Sequence, residues 1–519
     1  DFTQNYSTDG TTVRNTQISY YEGNKRAKDV GPDDALVKTE LFRKGTAGSD
    51  DVSSLKLQTK TYFKGSVSEE KTDYSQNYKN DGTTVRNTSI SYYNGNKRAK
   101  DADVDDALIK TELFRKGTAD SDDVSSLKLQ TKTYFKGSFS EEKTDYSQNY
   151  RNDGTTVRNT TISYYEGNKR AQNVGPDEAL VRTEQFRKGT AGSDDVSSLK
   201  LQTKTYFKGS VSEEKTDFTQ NYSTDGTTVR NTQISYYEGN KRAKDASADD
   251  ALVKTELFRK GTADSDDVSS LKLQTKTYFK GSVSEEKTDY SQNYKNDGTT
   301  VRNTQISYYE GNKRAKDAAP DDALVKTEQF RKGTADSDDV SSLKLQTKTY
   351  FKGPVSEEKT DFTQNYSTDG TTVRNTQISY YEGNKRAKDA DVDSALIKTE
   401  LFRKGTAGSD DVSSLKLQTM TYFKGAISEE KVDFTQNYKN DGTTVRNTQI
   451  SYYKDDKRAK DADVDDTLIR TELFRKGTAD SDDVSSLKLQ TMTYFKGPVS
   501  EEKTDFTQNY STDGVTVAT

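Results

Sequence analysis

No cysteine, histidine or tryptophan occurs in the 519 residues, and there are only five prolines and two methionines. Without thiol or imidazole, the chain cannot supply a Ser-His-Asp or Cys-His nucleophile, an ordinary zinc site, a disulfide framework or a thiol redox centre. Hydrophobic residues make up 29% of it, against roughly 45–50% in an ordinary globular domain when glycine is counted, which excludes a thick core. No apolar run approaches the about 20 residues of a membrane-spanning helix. The segment that opens at Asp1 is unlike a signal peptide, so a secretion signal is expected to lie outside this chain. Lys and Arg number 79 against 84 Asp and Glu, so there is no basic field to collect phosphates and nucleic acid is not an expected partner.

What is present is β-forming: 32 Tyr and 20 Phe, with abundant Thr. It is also periodic. The segment DFTQNY at Asp1 returns, as DFTQNY or DYSQNY, at Asp73, Asp145, Asp217, Asp289, Asp361, Asp433 and Asp505, a period of 72 residues without insertion. Seven copies therefore occupy 1–72, 73–144, 145–216, 217–288, 289–360, 361–432 and 433–504, and 505–519 is a partial eighth. Fixed periodicity of this kind is the signature of a repeat architecture.

Within a copy, extended runs end in an aromatic and then a polar turn. The clearest is Ser54–Phe63, where Leu55, Leu57, Thr59, Thr61 and Phe63 alternate with Lys56, Gln58, Lys60 and Tyr62. Period two indicates a strand. The runs 12–21, 36–42 and 72–78 are similar in composition, and the connectors between runs, among them 7–10 and 22–24, have turn chemistry. The expected fold is all-β: an elongated β-solenoid or β-ribbon rod of mostly antiparallel strands, about five per copy. A seven-bladed β-propeller is the alternative, although 72 residues is long for a blade of roughly 40–50.

Differences among the copies separate core from surface. The loop after Asp29 varies freely, whereas SSLKLQT recurs throughout, as do the aromatics. The expected core is Leu55, Leu57, Tyr62 and Phe63, with Tyr20 and Phe42. Lys60 becomes Met420 and Met492, as a lysine stem lying on apolar surface would allow. Gly23 becomes Asp455, a residue that tolerates positive φ.

No catalytic, cofactor or metal site is expected, and the chain is not read as an enzyme. Glu69-Glu70 recurs in every copy, but adjacent strand residues point to opposite faces. The acidic clusters at Asp50-Asp51, at Asp120 to Asp123 and at Asp103 with Asp105 and Asp106 are the candidate calcium ligands, and their spacing matches no calcium loop. They read as Asx-rich turns.

Asp81-Gly82-Thr83-Thr84 before a strand, the aromatic pair Tyr92-Tyr93 at its end and the turn Asn94-Gly95-Asn96 after it resemble the YD repeats of RHS-type secreted bacterial proteins. MORN-type hairpin repeats are also similar. The sequence departs from the YD pattern where Tyr-Tyr stands for Tyr-Asp. The resemblance implies a spiral or ribbon of hairpins in an exported protein. Near-identical tandem copies without cysteine also resemble the stalks of bacterial surface fibres and adhesins. That implies an extracellular or cell-surface structural protein of bacterial origin, whose partner is itself, as a homopolymer or as neighbouring repeats of a longer chain. Surface glycans are a second partner class. Because Asp1 and Asp505 start the same phase of the repeat, Phe2 and Tyr6 at one end and Phe506 and Tyr510 at the other are expected to take part in self-association.

Overall fold

The computed structural model describes residues 1–6, 10–79, 81–392, 394–427, 429–463, 466–497, 499 and 502–518. The turn expected at 7–10 therefore lies mostly outside the described residues. Two units are present: one of residues 1–227 with 241–249, the other of 228–240 with 250–519.

The first copy shows the plan. Its strands are β1 (Phe2–Tyr6), β2 (Val13–Tyr21), β3 (Leu36–Arg43) and β4 (Lys56–Lys64), and the next copy continues with β5 (Lys71–Tyr78), β6 (Val85–Tyr93), β7 (Leu108–Arg115) and β8 (Lys128–Lys136). The copy thus carries four strands where about five were expected. The connectors after β2 and β3 hold turns, and their backbone groups are used in pinning the loops to the sheet. The boundary at 72/73 falls inside β5, so a copy is a unit of sequence rather than a separable domain.

All pairing is antiparallel. In the first unit β1 pairs with β2, β2 with β3, β3 with β4 and β4 with β5, and β5 continues to β6 across the copy boundary. The second unit does the same from Val229–Tyr237 to Lys503–Asn509. This overturns the propeller alternative. Blades are separate sheets, whereas here hydrogen bonding runs uninterrupted from one copy into the next within each unit.

Each pairing contains one bulge, and the bulges decide which residues are buried. Between β3 and β4, Leu41 faces Thr59 but Phe42 faces Leu57, leaving Gln58 as the extra residue. A bulge shifts the alternation by one. Leu57 therefore shares a face with Lys60 and Tyr62, not with Thr59 and Thr61 as strict period two predicts. It packs with Tyr78 and Val85 of the following copy, with Phe42 alongside.

The deepest burial lies elsewhere than the sequence suggested. Ile18, Ile90, Ile306 and their equivalents are fully buried, together with Thr16, Thr88 and Gln76. Leu57 is buried too, while Leu55, Tyr62, Phe63, Tyr20 and Phe42 are half-buried. The reason is that connectors cover only part of one face. On the opposite face a polar ladder runs from strand to strand: Thr59 Oγ1 donates to Asn77 Oδ1 at 2.9 Å, and Asn77 Nδ2 to Asn87 Oδ1 at 2.8 Å.

Two conformational details bear on the turns. Asp455 holds φ at +60°, in the place of glycines such as Gly23 at +69°, so this turn survives the substitution. Gly117 has φ of +152°, and a Cβ there would lie 2.2 Å from Thr88 Oγ1. That close approach is what lets the Thr88 hydroxyl donate to the carbonyl of Lys116 at 3.1 Å.

Candidate functional site

The chemistry of the chain concentrates where one copy meets the next, on the face covered by the connectors. Its centre is a buried glutamine. Gln292, on the strand Lys287–Tyr294, donates through Nε2 to the carbonyls of Thr334 at 2.8 Å and Ser337 at 3.0 Å, and its Oε1 accepts the N–H of Asp336 at 2.8 Å. A buried amide costs little when its hydrogen bonds are made. Here they clamp the 332–339 connector to the sheet. The sequence reading passed over this residue, although Gln-Asn-Tyr stands unchanged in all eight occurrences while its neighbours alternate between Phe-Thr and Tyr-Ser.

The clamped connector delivers carboxylates to the preceding copy. Asp336 forms an ion pair with Lys276 Nζ at 2.8 Å and accepts the hydroxyl of Tyr278. Tyr278 stacks on Tyr290, with ring centroids 4.2 Å apart. Lys276 also reaches Glu256 at 3.3 Å, which Lys254 holds at 3.0 Å. Beside them Arg314 bridges Asp289, at 2.9 Å, and Asp338, at 2.9 Å. The first unit repeats the arrangement with Lys60, Tyr62, Asp120, Arg98, Asp73 and Asp122.

Burial raises the Tyr278 phenol far above its usual value, and the Asp336 carboxylate adds to that. For Asp336 burial acts upward, but the Lys276 ammonium and the Tyr278 hydroxyl outweigh it and hold the carboxyl below its ordinary value. Neither group titrates near neutrality. That suits a structural tie better than proton transfer.

The other residues singled out from the sequence have local roles. Glu70 Oε1 accepts the N–H of Leu36 at 3.0 Å, and Glu142 does the same for Leu108 at 2.8 Å. In the acidic clusters, Asp50 pairs with Arg26 at 2.9 Å and Asp51 accepts the N–H of Ser53 at 3.0 Å. Tyr20 lies under Lys38 Nζ, 4.2 Å from the ring centroid. Phe2 and Tyr6 on β1 are 37% and 42% exposed, whereas their equivalents Tyr74 and Tyr78, flanked by strands on both sides, are 7% and 3% exposed. Phe506 is 46% exposed, although it stacks on Tyr494 at 4.3 Å. Tyr510 is half-buried, and its hydroxyl donates to Gln508 Oε1 at 3.3 Å. Among the described residues, no helix is long and apolar enough to cross a membrane.

No known protein family matches the chain, and no curated protein matches its sequence. Among solved structures, it is similar to a chain of the Photorhabdus luminescens Tc holotoxin pore carrying a TccC3 mutation, at 9% identity and a TM-score of 0.24. A second similar structure is TcdB2-TccC3 without its hypervariable C-terminal region, at 8% identity and a TM-score of 0.20. The matches cover 98% and 97% of this chain but 27% of each of those chains, so it spans about a quarter of their length.

Proposed function

We propose that this is an extracellular structural protein, a fibre, filament or adhesin stalk whose task is mechanical continuity rather than catalysis. The observation that carries this reading is the position of the core. Phe42 and Leu57 of one copy pack with Tyr78 and Val85 of the next, so a copy completes its apolar contacts only with its neighbour. Repeat proteins stabilised through such nearest-neighbour interfaces extend by adding units.

Self-association through strands fits the same plan. A β1-type strand elsewhere in the first unit lies between a β4-type and a β2-type strand, as β5 does between β4 and β6. The exposed Phe2 and Tyr6 mark an edge of β1 that would take a β4-type strand. Phe506 marks an edge that would take a β2-type strand. A neighbouring repeat, of the same or another chain, would supply each. Secretion, which the resemblance to bacterial surface proteins implies, is part of the same proposal.

Electron microscopy of the native material tests this reading. Thin fibres with an axial spacing set by the 72-residue unit are expected. Chains that remain monomeric at every concentration, and that behave identically after loss of 1–12 and 505–519, would overturn it.

A further inference from the structure

The copies differ at one position that controls the junction. It is Asp at 120, 264, 336 and 480, but Gly at 48, 192 and 408. Where Asp120 and Asp336 are present, their carboxylates lie between the lysine ammonium and tyrosine hydroxyl of the preceding copy. Where Gly192 and Gly408 stand, the same lysine and tyrosine remain, as Lys132 with Tyr134 and Lys348 with Tyr350, and the carboxylate is gone.

The lysines register the difference. Lys60 and Lys276 each lie 3.3 Å from their glutamates, Glu40 and Glu256, and have side chains 16% exposed. Lys132 and Lys348 have closed to 2.9 Å on Glu112 and Glu328, and their side chains are 25% and 24% exposed. The backbone is unchanged: Gly192 and Gly408 hold φ at +77° and +78°, close to the +63° of Asp120 and +62° of Asp336.

The cleft at the junction changes in size and charge. Beside Asp336 it has about 470 Å³ and is lined by two basic and three acidic side chains. Beside Gly408 it has about 580 Å³ and is lined by Lys326, Lys352, Arg386 and Lys388 against Asp361 and Asp410. Arg386 is spent on those two aspartates, at 2.9 and 3.0 Å. A volume of this order suits a small molecule; with Lys326 held by Glu328 at 3.0 Å, Lys352 and Lys388 are the cations of the lining that favour an anion.

We propose that the Gly192 and Gly408 junctions are binding sites for a small carboxylate ligand of sugar-acid size. Its carboxylate takes the place that Asp120 and Asp336 fill in their own junctions, between the lysine ammonium and the tyrosine hydroxyl. The Asp junctions carry their own carboxylate at that point. The chain thus carries both self-filled and receptive junctions on the same scaffold.

Saturation-transfer NMR on the full chain, with glucuronate as probe, acetate as the minimal carboxylate and glucose as the neutral control, tests the proposal. Glucuronate and acetate should give signal and glucose none. The double variant Gly192→Asp with Gly408→Asp should lose the signal while keeping the melting temperature, since aspartate already occupies this conformation in other copies. Asp336→Gly should strengthen the signal by adding a site. No carboxylate signal from the wild-type chain, equal signal from the double variant, or no gain in Asp336→Gly would each overturn the proposal.

Discussion

Gln292 and Thr334, 42 residues apart, are joined by a 2.8 Å hydrogen bond from the buried amide to the backbone carbonyl. The bond ties a connector to the sheet two strands behind it. The same contact recurs at Gln76 and Thr118, at Gln364 and Thr406, and at Gln436 and Thr478.

Replacing Gln292 with Leu keeps the volume but strands two carbonyls and an N–H, each costing about 1–3 kcal/mol when buried without a partner. The 332–339 connector should detach locally. Hydrogen exchange at the Asp336 amide should accelerate relative to the same site in the neighbouring copies.

Ile306 is fully buried and Phe279 only half-buried. Ile306→Ala should cost about 2–5 kcal/mol, within the range for large-to-small core changes, and Phe279→Ala less. Denaturant melts of the two variants rank them; a larger loss for Phe279→Ala would contradict this placing of the core.

Gly333→Ala sets a Cβ 2.2 Å from Thr304 Oγ1 at a φ of +153°. A lower melting temperature is expected. Adding Thr304→Ala removes the hydroxyl and should recover part of the loss, although Val301 Cγ1, 3.2 Å from the same Cβ, still crowds it.

Stability should fall at both extremes of pH. In the turns, Asp369 and Asp441 are pushed down to about 2 from 3.8 by hydrogen bonds from Thr372 and Thr444. A depressed carboxyl stabilises the fold above its unfolded value and ceases to do so as pH falls to about 2. Tyr93 and Tyr309 are raised to about 12 from 10.0, first by burial and then by Asp73 and Asp289. A raised phenol stabilises the fold below pH about 10, and that contribution is lost as pH rises through about 12. Circular dichroism across pH 2–12 should show a broad plateau with loss at each end.

The period of 72, the β class and the antiparallel pairing were legible in the amino acids, because a repeat and the alternation of Leu57, Thr59 and Thr61 depend on local order alone. The buried face was not. Strict alternation put Leu57 with Thr59, and the bulge at Gln58 moved it to the side of Tyr62. Bulges arise from pairing with a second strand, which a single run of residues does not encode.

The sequence by itself determined that copies would share one plan, that no thiol or imidazole chemistry was available, and that one loop position is Asp in four copies and Gly in three. Only the tertiary structure decided what that difference means. It brings Asp336 to Lys276 and Tyr278, about sixty residues earlier in the chain, through the amide of Gln292. Contacts so distant in sequence are set by strand register and by the clamping of a connector, and neither leaves a local pattern to read.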